Sequence, residues 1–183
     1  MLFNETVKWK ILVRFFEEPE QEFFVKELAR EIKIGAGSAS QICKELEKEG
    51  ILISKVLGRA KFYFLKNDNP LVLRLKSTWF LGELMKFENC WIHEEIQSVA
   101  LYGSRASGEF VSKSDVDMLV ISNMKKEEIN KLFEKLRKKF GEAHSLFIFS
   151  LSEWRKLAKK KDRFYIEVLS NHILLSGTPL VIG

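Results

Sequence analysis

Four residues in the second half of the chain, Gly103, Ser104, Asp115 and Asp117, have types and spacing suited to phosphate chemistry. Ile96 to Tyr102 reads as a strand running straight into the Gly-Ser turn, and Ser114 to Ile121 reads as the next strand. Two aspartates two apart on a strand send both carboxylates to one face. Convergent carboxylates beside such a turn suit a hard divalent cation, Mg2+ or Mn2+, that holds a phosphate chain. The glycine lets backbone N–H groups approach the phosphates, and the start of the following helix favours negative charge there.

The run Gly103-Ser104-Arg105-Ala106-Ser107-Gly108, then Ser114-Asp115-Val116-Asp117, resembles the nucleotidyltransferase superfamily of the DNA polymerase β type, in particular its minimal members. Their motif is Gly-Ser, a short helix, then Asp-x-Asp on the next strand. Leu151-Ser152-Glu153-Trp154, a helix to about Leu169, and Ile173 to Gly177 resemble the family's closing elements, so the resemblance spans roughly residues 89–183. It implies a nucleoside triphosphate as substrate or ligand. It also implies Asp115 and Asp117 as catalytic metal ligands, with Gly103, Ser104, Arg105 and Ser114 at the nucleotide. Minimal members often look like the antitoxin of a two-protein system that transfers a nucleotide onto its toxin, so a partner protein is an implied acceptor.

The family usually carries a third carboxylate on a later strand, where it completes the catalytic metal and helps deprotonate the attacking hydroxyl. The corresponding strand here is His144 to Ser150, and no acid lies between Glu142 and Glu153. Glu142 and His144 are the nearest substitutes. Two readings follow: an enzyme transferring a nucleoside monophosphate, or a DNA-binding regulator whose degenerate domain only senses a nucleotide.

The elements that must carry this site come after a different first half. Val7, Ile11, Leu12, Phe15 and Phe16 recur at helical spacing over about 5–17. A second helix opens at Phe24 or Val25, Gly35-Ala36-Gly37 makes a tight turn, and a third helix runs from about Ser38 to Glu49. A hairpin then folds around Leu57-Gly58-Arg59-Ala60. Val25 to Leu65 resembles the winged helix-turn-helix of prokaryotic transcription regulators. By that resemblance Ser38, Ser40, Gln41 and Lys44 meet the major groove of double-stranded DNA, and Arg59 and Lys61 meet the adjacent backbone or minor groove. Glu45, Glu47 and Glu49 would repel phosphate, which keeps a protein-contact module open as the alternative.

Asn69-Pro70 starts a helix to about residue 88 that is apolar on nearly every face, from Leu71 through Trp79 and Phe80 to Phe87. A helix of this kind is either wedged between the two halves of the chain or a seam between two copies; the expectation is a mixture, one face inward and the other toward a second copy, hence a homodimer. The stretch Glu127 to Phe140 reads as a single amphipathic covering helix. The architecture expected is α+β: a winged helix over 1–67, a connecting helix over 68–88, and a mixed α/β nucleotidyltransferase-like domain over 89–183.

Composition agrees with a folded cytoplasmic protein. Hydrophobic residues make up 46% of 183, two cysteines cannot build a disulfide framework, and no apolar run approaches a membrane span. A net charge of +5 favours anionic partners. The three histidines lie singly, which excludes a zinc site of ordinary spacing.

Overall fold

The computed structural model describes residues 6–58, 60–141 and 144–181. They fall into two compact units, 1–79 and 80–183.

In the first unit, α1 (Val7–Glu17) is capped by Thr6, whose Oγ1 accepts from the Trp9 N–H at 3.2 Å. It buries Ile11, Leu12, Phe15 and Phe16 against α2 (Val25–Ile32) and α3 (Ala36–Lys48), which contribute Leu28, Ala29, Ala39, Cys43 and Leu46. A short strand β1 (Phe23–Phe24) and the hairpin β2 (Leu52–Leu57) and β3 (Ala60–Leu65) form an antiparallel sheet in the order β1-β3-β2. The turn between α2 and α3 differs from expectation. Its left-handed residue is Lys33, at φ 61°, where the N–H of Ile34 closes onto the Ala29 carbonyl at 2.9 Å. Gly35 is an ordinary helix cap at φ −67°, and Gly37 lies inside α3.

Asn69 caps α4 (Pro70–Leu84), its Oδ1 accepting from the Leu71 N–H at 2.9 Å. The helix ends four residues before the expected 88. A 3-10 turn over Met85–Cys90 follows, with Phe87 bent to φ −109°, ψ 15°. The division between the units falls within α4.

The second unit is built on a mixed four-stranded sheet in the order β6-β5-β4-β7. The strands are β4 (Ile96–Tyr102), β5 (Val116–Ser122), β6 (His144–Phe149) and β7 (His172–Gly177). β4 runs antiparallel to β5 and β7, while β5 and β6 are parallel. Both faces of the central pair are apolar, as a strand covered on two sides requires. Ala100, Leu119 and Ile121 pack against Trp154, Tyr165 and Val168 of α8 (Leu151–Lys160) and α9 (Arg163–Ser170). Val99, Leu101, Met118 and Val120 alternate to the other face, and all four are buried.

Two expected helices are broken. The stretch 127–140 is α6 (Lys126–Leu132) and α7 (Glu134–Phe140), divided at Phe133 with ψ 5°. The stretch 151–169 divides at Lys161, in left-handed conformation at φ 51°, and Asp162 recaps α9 through the Phe164 N–H at 2.9 Å. No helix among the described residues is long and apolar enough to cross a membrane.

Candidate active site

The site lies where β4 ends. Tyr102, its last residue, pairs with Asp117 of β5 on one side and with His172 of β7 on the other. Asp117 in turn pairs with Ser145 of β6. Paired residues on neighbouring strands share a face, so Ser145, Asp117, Tyr102 and His172 make one row across the sheet. Gly103 follows at φ 70° and opens the single turn α5 (Gly103–Ser107), which closes on Gly108 at φ 84°. The Asp117 carboxylate rests against Gly103: a Cβ there would meet Asp117 Oδ2 at 2.7 Å. Both the backbone angle and this approach require glycine.

Asp115 differs from expectation. It precedes β5, which starts at Val116, and is exposed, whereas Asp117 is half-buried within the strand. The two carboxylates are nonetheless close enough for Asp115 to disfavour ionisation of Asp117. Ser104 is half-buried, its carbonyl accepting from the Gly108 N–H at 2.9 Å. α5 is only five residues long, so its dipole adds little for a phosphate.

Arg105 and Ser114 hold the loop between α5 and β5. The Arg105 guanidinium lies 4.7 Å from the Phe80 ring centre and 4.3 Å from that of Phe110, and it donates to the Ser114 carbonyl at 2.9 Å. Ser114 Oγ accepts from the Val111 N–H at 2.9 Å. Burial pulls the Arg105 guanidinium down to about 10, with Asp115 opposing that shift, so the group stays cationic at neutral pH. Its hydrogen bond thus holds the residue just before Asp115.

Burial is the main reason that Asp117 titrates above the ordinary carboxylate range, and the negative charges of Asp115 and Glu167 add to it. The Tyr102 hydroxyl is driven up by burial and then by Asp117 and Glu167. The donors are oxygens and the charges are alike, which suits a hard divalent cation. Asp115 and Asp117 could hold it as a pair; among the described residues no cluster of three His, Cys, Asp or Glu has ligand spacing. Of the two proposed substitutes for a third acid, Glu142 lies outside the described residues. His144 pairs in register with Val116.

Glu167 and Tyr102 were missed in the sequence. Helical spacing puts Phe164 and Glu167 on one side of α9, with Asn171 as its cap, but only packing reveals what that side meets. Phe164 touches the Tyr102 ring at 5.8 Å, and Asn171 Nδ2 donates to the Gly103 carbonyl at 3.5 Å.

In the first unit, Ser38, Gln41 and Lys44 are exposed along α3 and Ser40 is half-buried. Gln41 donates to Glu45 at 3.0 Å. Lys61 is bound by Glu47 at 2.8 Å and lies over the Tyr63 ring, 4.8 Å from its centre. Arg59 lies outside the described residues.

Comparison with solved structures returns low similarities. A possible transcriptional regulator from Methanosarcina mazei Go1 is 17% identical, with 50% of this chain and 82% of that one covered at a TM-score of 0.32. A toxin-antitoxin complex with AMP-PNP is 20% identical, with 53% and 73% covered at 0.36. The tri-AMPylated Shewanella oneidensis HEPN toxin in complex with MNT antitoxin is 16% identical, with 58% and 73% covered at 0.31. No curated protein matches the chain. The family described as the nucleotidyltransferase domain matches residues 84–174, which include every residue of the Gly103–Asp117 site. Over that stretch the second unit of this chain is similar to the nucleotidyltransferase domain.

Proposed function

We propose that this domain binds a nucleoside triphosphate with Mg2+ or Mn2+ and transfers the nucleoside monophosphate to a hydroxyl of a partner protein. One observation carries the reading: the Asp117 carboxylate is seated on a side-chain-free Gly103, with Asp115 beside it and no cation paired to either among the described residues. A bound divalent cation would balance these charges and polarise the phosphate under attack. Asp115 and Asp117 are the residues that hold it. Gly103 leaves room for the Asp117 carboxylate at the start of the turn, and Ser104 offers a hydroxyl next to it in the chain. Arg105 and Ser114 fix the Asp115 loop, a supporting role in place of the direct nucleotide contact that the motif implies.

The first unit, over 1–67, is proposed to be a winged helix-turn-helix on duplex DNA. Support comes from the three-helix arrangement, the β2–β3 hairpin and the exposure of Ser38, Gln41 and Lys44 on α3. Residues 68–88 are proposed as the seam of a homodimer, supported by exposed Leu71 and Met85. A cytoplasmic location fits the two buried free thiols, Cys43 and Cys90.

A second reading, a non-catalytic regulator that senses nucleotide, is favoured by Ser145, the uncharged partner of Asp117 on β6. Calorimetry with ATP separates the possibilities. Binding that needs Mg2+ and is lost in Asp117→Asn supports the site, and equal affinity for wild type and variant overturns it. Release of pyrophosphate by wild type favours transfer over sensing.

A further inference from the structure

We infer that Glu167 is the group that takes the proton from the attacking hydroxyl, an inference that rests on the transfer reading above. Transfer to a hydroxyl needs a base on the acceptor side. Asp115 and Asp117 are already assigned to the cation. The β6 position in register with Asp117 is Ser145, which is neutral.

Glu167 is reached from another direction. In α9 it follows Phe164 by three residues, so the two share a side of the helix, and Asn171 is the cap that ends α9 one turn later. Both neighbours are fixed to the site: Phe164 meets the Tyr102 ring at 5.8 Å, and Asn171 Nδ2 reaches the Gly103 carbonyl at 3.5 Å. Glu167 therefore lies between two residues anchored to the end of β4 and the first residue of the turn. Its negative charge is felt at both the Tyr102 hydroxyl and the Asp117 carboxyl. Glu167 is exposed, and its carboxylate makes no hydrogen bond or ion pair among the described residues. It is free to meet an acceptor arriving from solvent.

The step balances. The acceptor O–H bond breaks as its oxygen bonds to the α-phosphorus, and the α–β bridging P–O bond breaks to release pyrophosphate. Glu167 keeps the proton until solvent removes it. Placing the base on α9 also explains how β6 can lack an acid without excluding transfer.

The test uses the full chain, ATP with Mg2+, and water as the probe nucleophile, read as pyrophosphate release. Glu167→Gln is expected to lower turnover about 100-fold or more. KM for ATP and calorimetric affinity for Mg2+ with a non-hydrolysable ATP analogue should stay within threefold of wild type, and the melting temperature should not fall. Glu167→Asp should recover part of the loss. Turnover of Glu167→Gln within threefold of wild type, with Asp115→Asn inactive, overturns this inference and leaves the transfer reading standing. Wild-type turnover no higher than Asp115→Asn overturns both. In that case retained Mg2+-dependent binding identifies a sensor, and absent binding removes the site itself.

Discussion

The first unit and the candidate site of the second treat charge in opposite ways. In the first, cations are matched with carboxylates: Arg14 meets Glu18 at 3.1 Å and Glu31 at 2.7 Å, Lys8 meets Glu49 at 2.6 Å, and Lys61 meets Glu47 at 2.8 Å. In the second, Asp115, Asp117 and Glu167 crowd one end of the sheet. The cation beside them, Arg105, hydrogen-bonds to a carbonyl and packs between two aromatic rings. Exposed pairs like those of the first unit contribute about 0–1 kcal/mol each and adjust a surface. Uncompensated carboxylates around a half-buried Asp117 oppose folding, and such conflicts cluster where a ligand supplies the missing charge. The contrast ranks the two regions: the end of the second unit's sheet is poised for a cation, and the first unit pairs several of its cations with its own carboxylates.

The contrast breaks most readily at Asp115 and Asp117. Replacing either by Asn should lower Mg2+-dependent ATP binding or turnover by about 100-fold or more, measured by calorimetry and pyrophosphate release. Next in size is Arg105→Ala. It removes a half-buried hydrogen bond to the Ser114 carbonyl and two ring contacts, and should destabilise the second unit by about 2 kcal/mol in urea unfolding. ATP binding should fall less than in Asp115→Asn, because the cation acts through the loop.

A smaller effect has an unusual sign. Asp117 titrates above its unfolded value, so in the metal-free protein its contribution to stability is greatest below the unfolded carboxylate pKa. It declines as pH rises through the folded value. Asp117→Asn should remove that decline and raise the melting temperature at neutral pH by about 2–4 °C. Saturating Mg2+ should produce a similar rise in wild type, and a melting temperature lowered by Asp117→Asn would contradict the charge conflict.

The smallest expected effect sharpens the other side of the comparison. If Glu47 holds Lys61 away from phosphate, Glu47→Gln should raise affinity for duplex DNA a few-fold at low salt and steepen the salt dependence by about one unit of log–log slope. No change would leave Lys61 as a structural cation and favour the protein-contact alternative for this unit.

What could be read in the sequence divides along similar physical lines. Gly103, Asp115 and Asp117 were legible because a turn and the strand after it are local and their residue types are chemically narrow. The strand β4 and the α2–α3 pair were legible from periodicity. Lys33 was not, because a lysine at φ 61° is chosen by the packing of two helices while glycines nearby offered an easier guess. The breaks at Phe133 and Lys161 escaped because both neighbours of each break keep the same apolar period. Asp115 was assigned to the strand since alternation does not reveal where pairing begins. Glu167 depended on the break at Lys161, which sets how α9 meets the sheet, and on pairings between residues far apart in sequence.

The contact between Gly103 and Asp117 has a consequence for how such a chain can change over generations. A side chain at 103 would land 2.7 Å from Asp117 Oδ2, so while the aspartate stays the glycine is confined twice, by space and by φ 70°. Shortening residue 117 removes one confinement and leaves the other. The order of substitutions therefore matters: 117 can be shortened first and 103 filled afterwards at the cost of backbone strain alone, whereas the reverse path passes through an intermediate that suffers both. Gly103→Ala should accordingly be milder in an Asp117→Ala background than alone, a double-mutant signature of two positions that drift together.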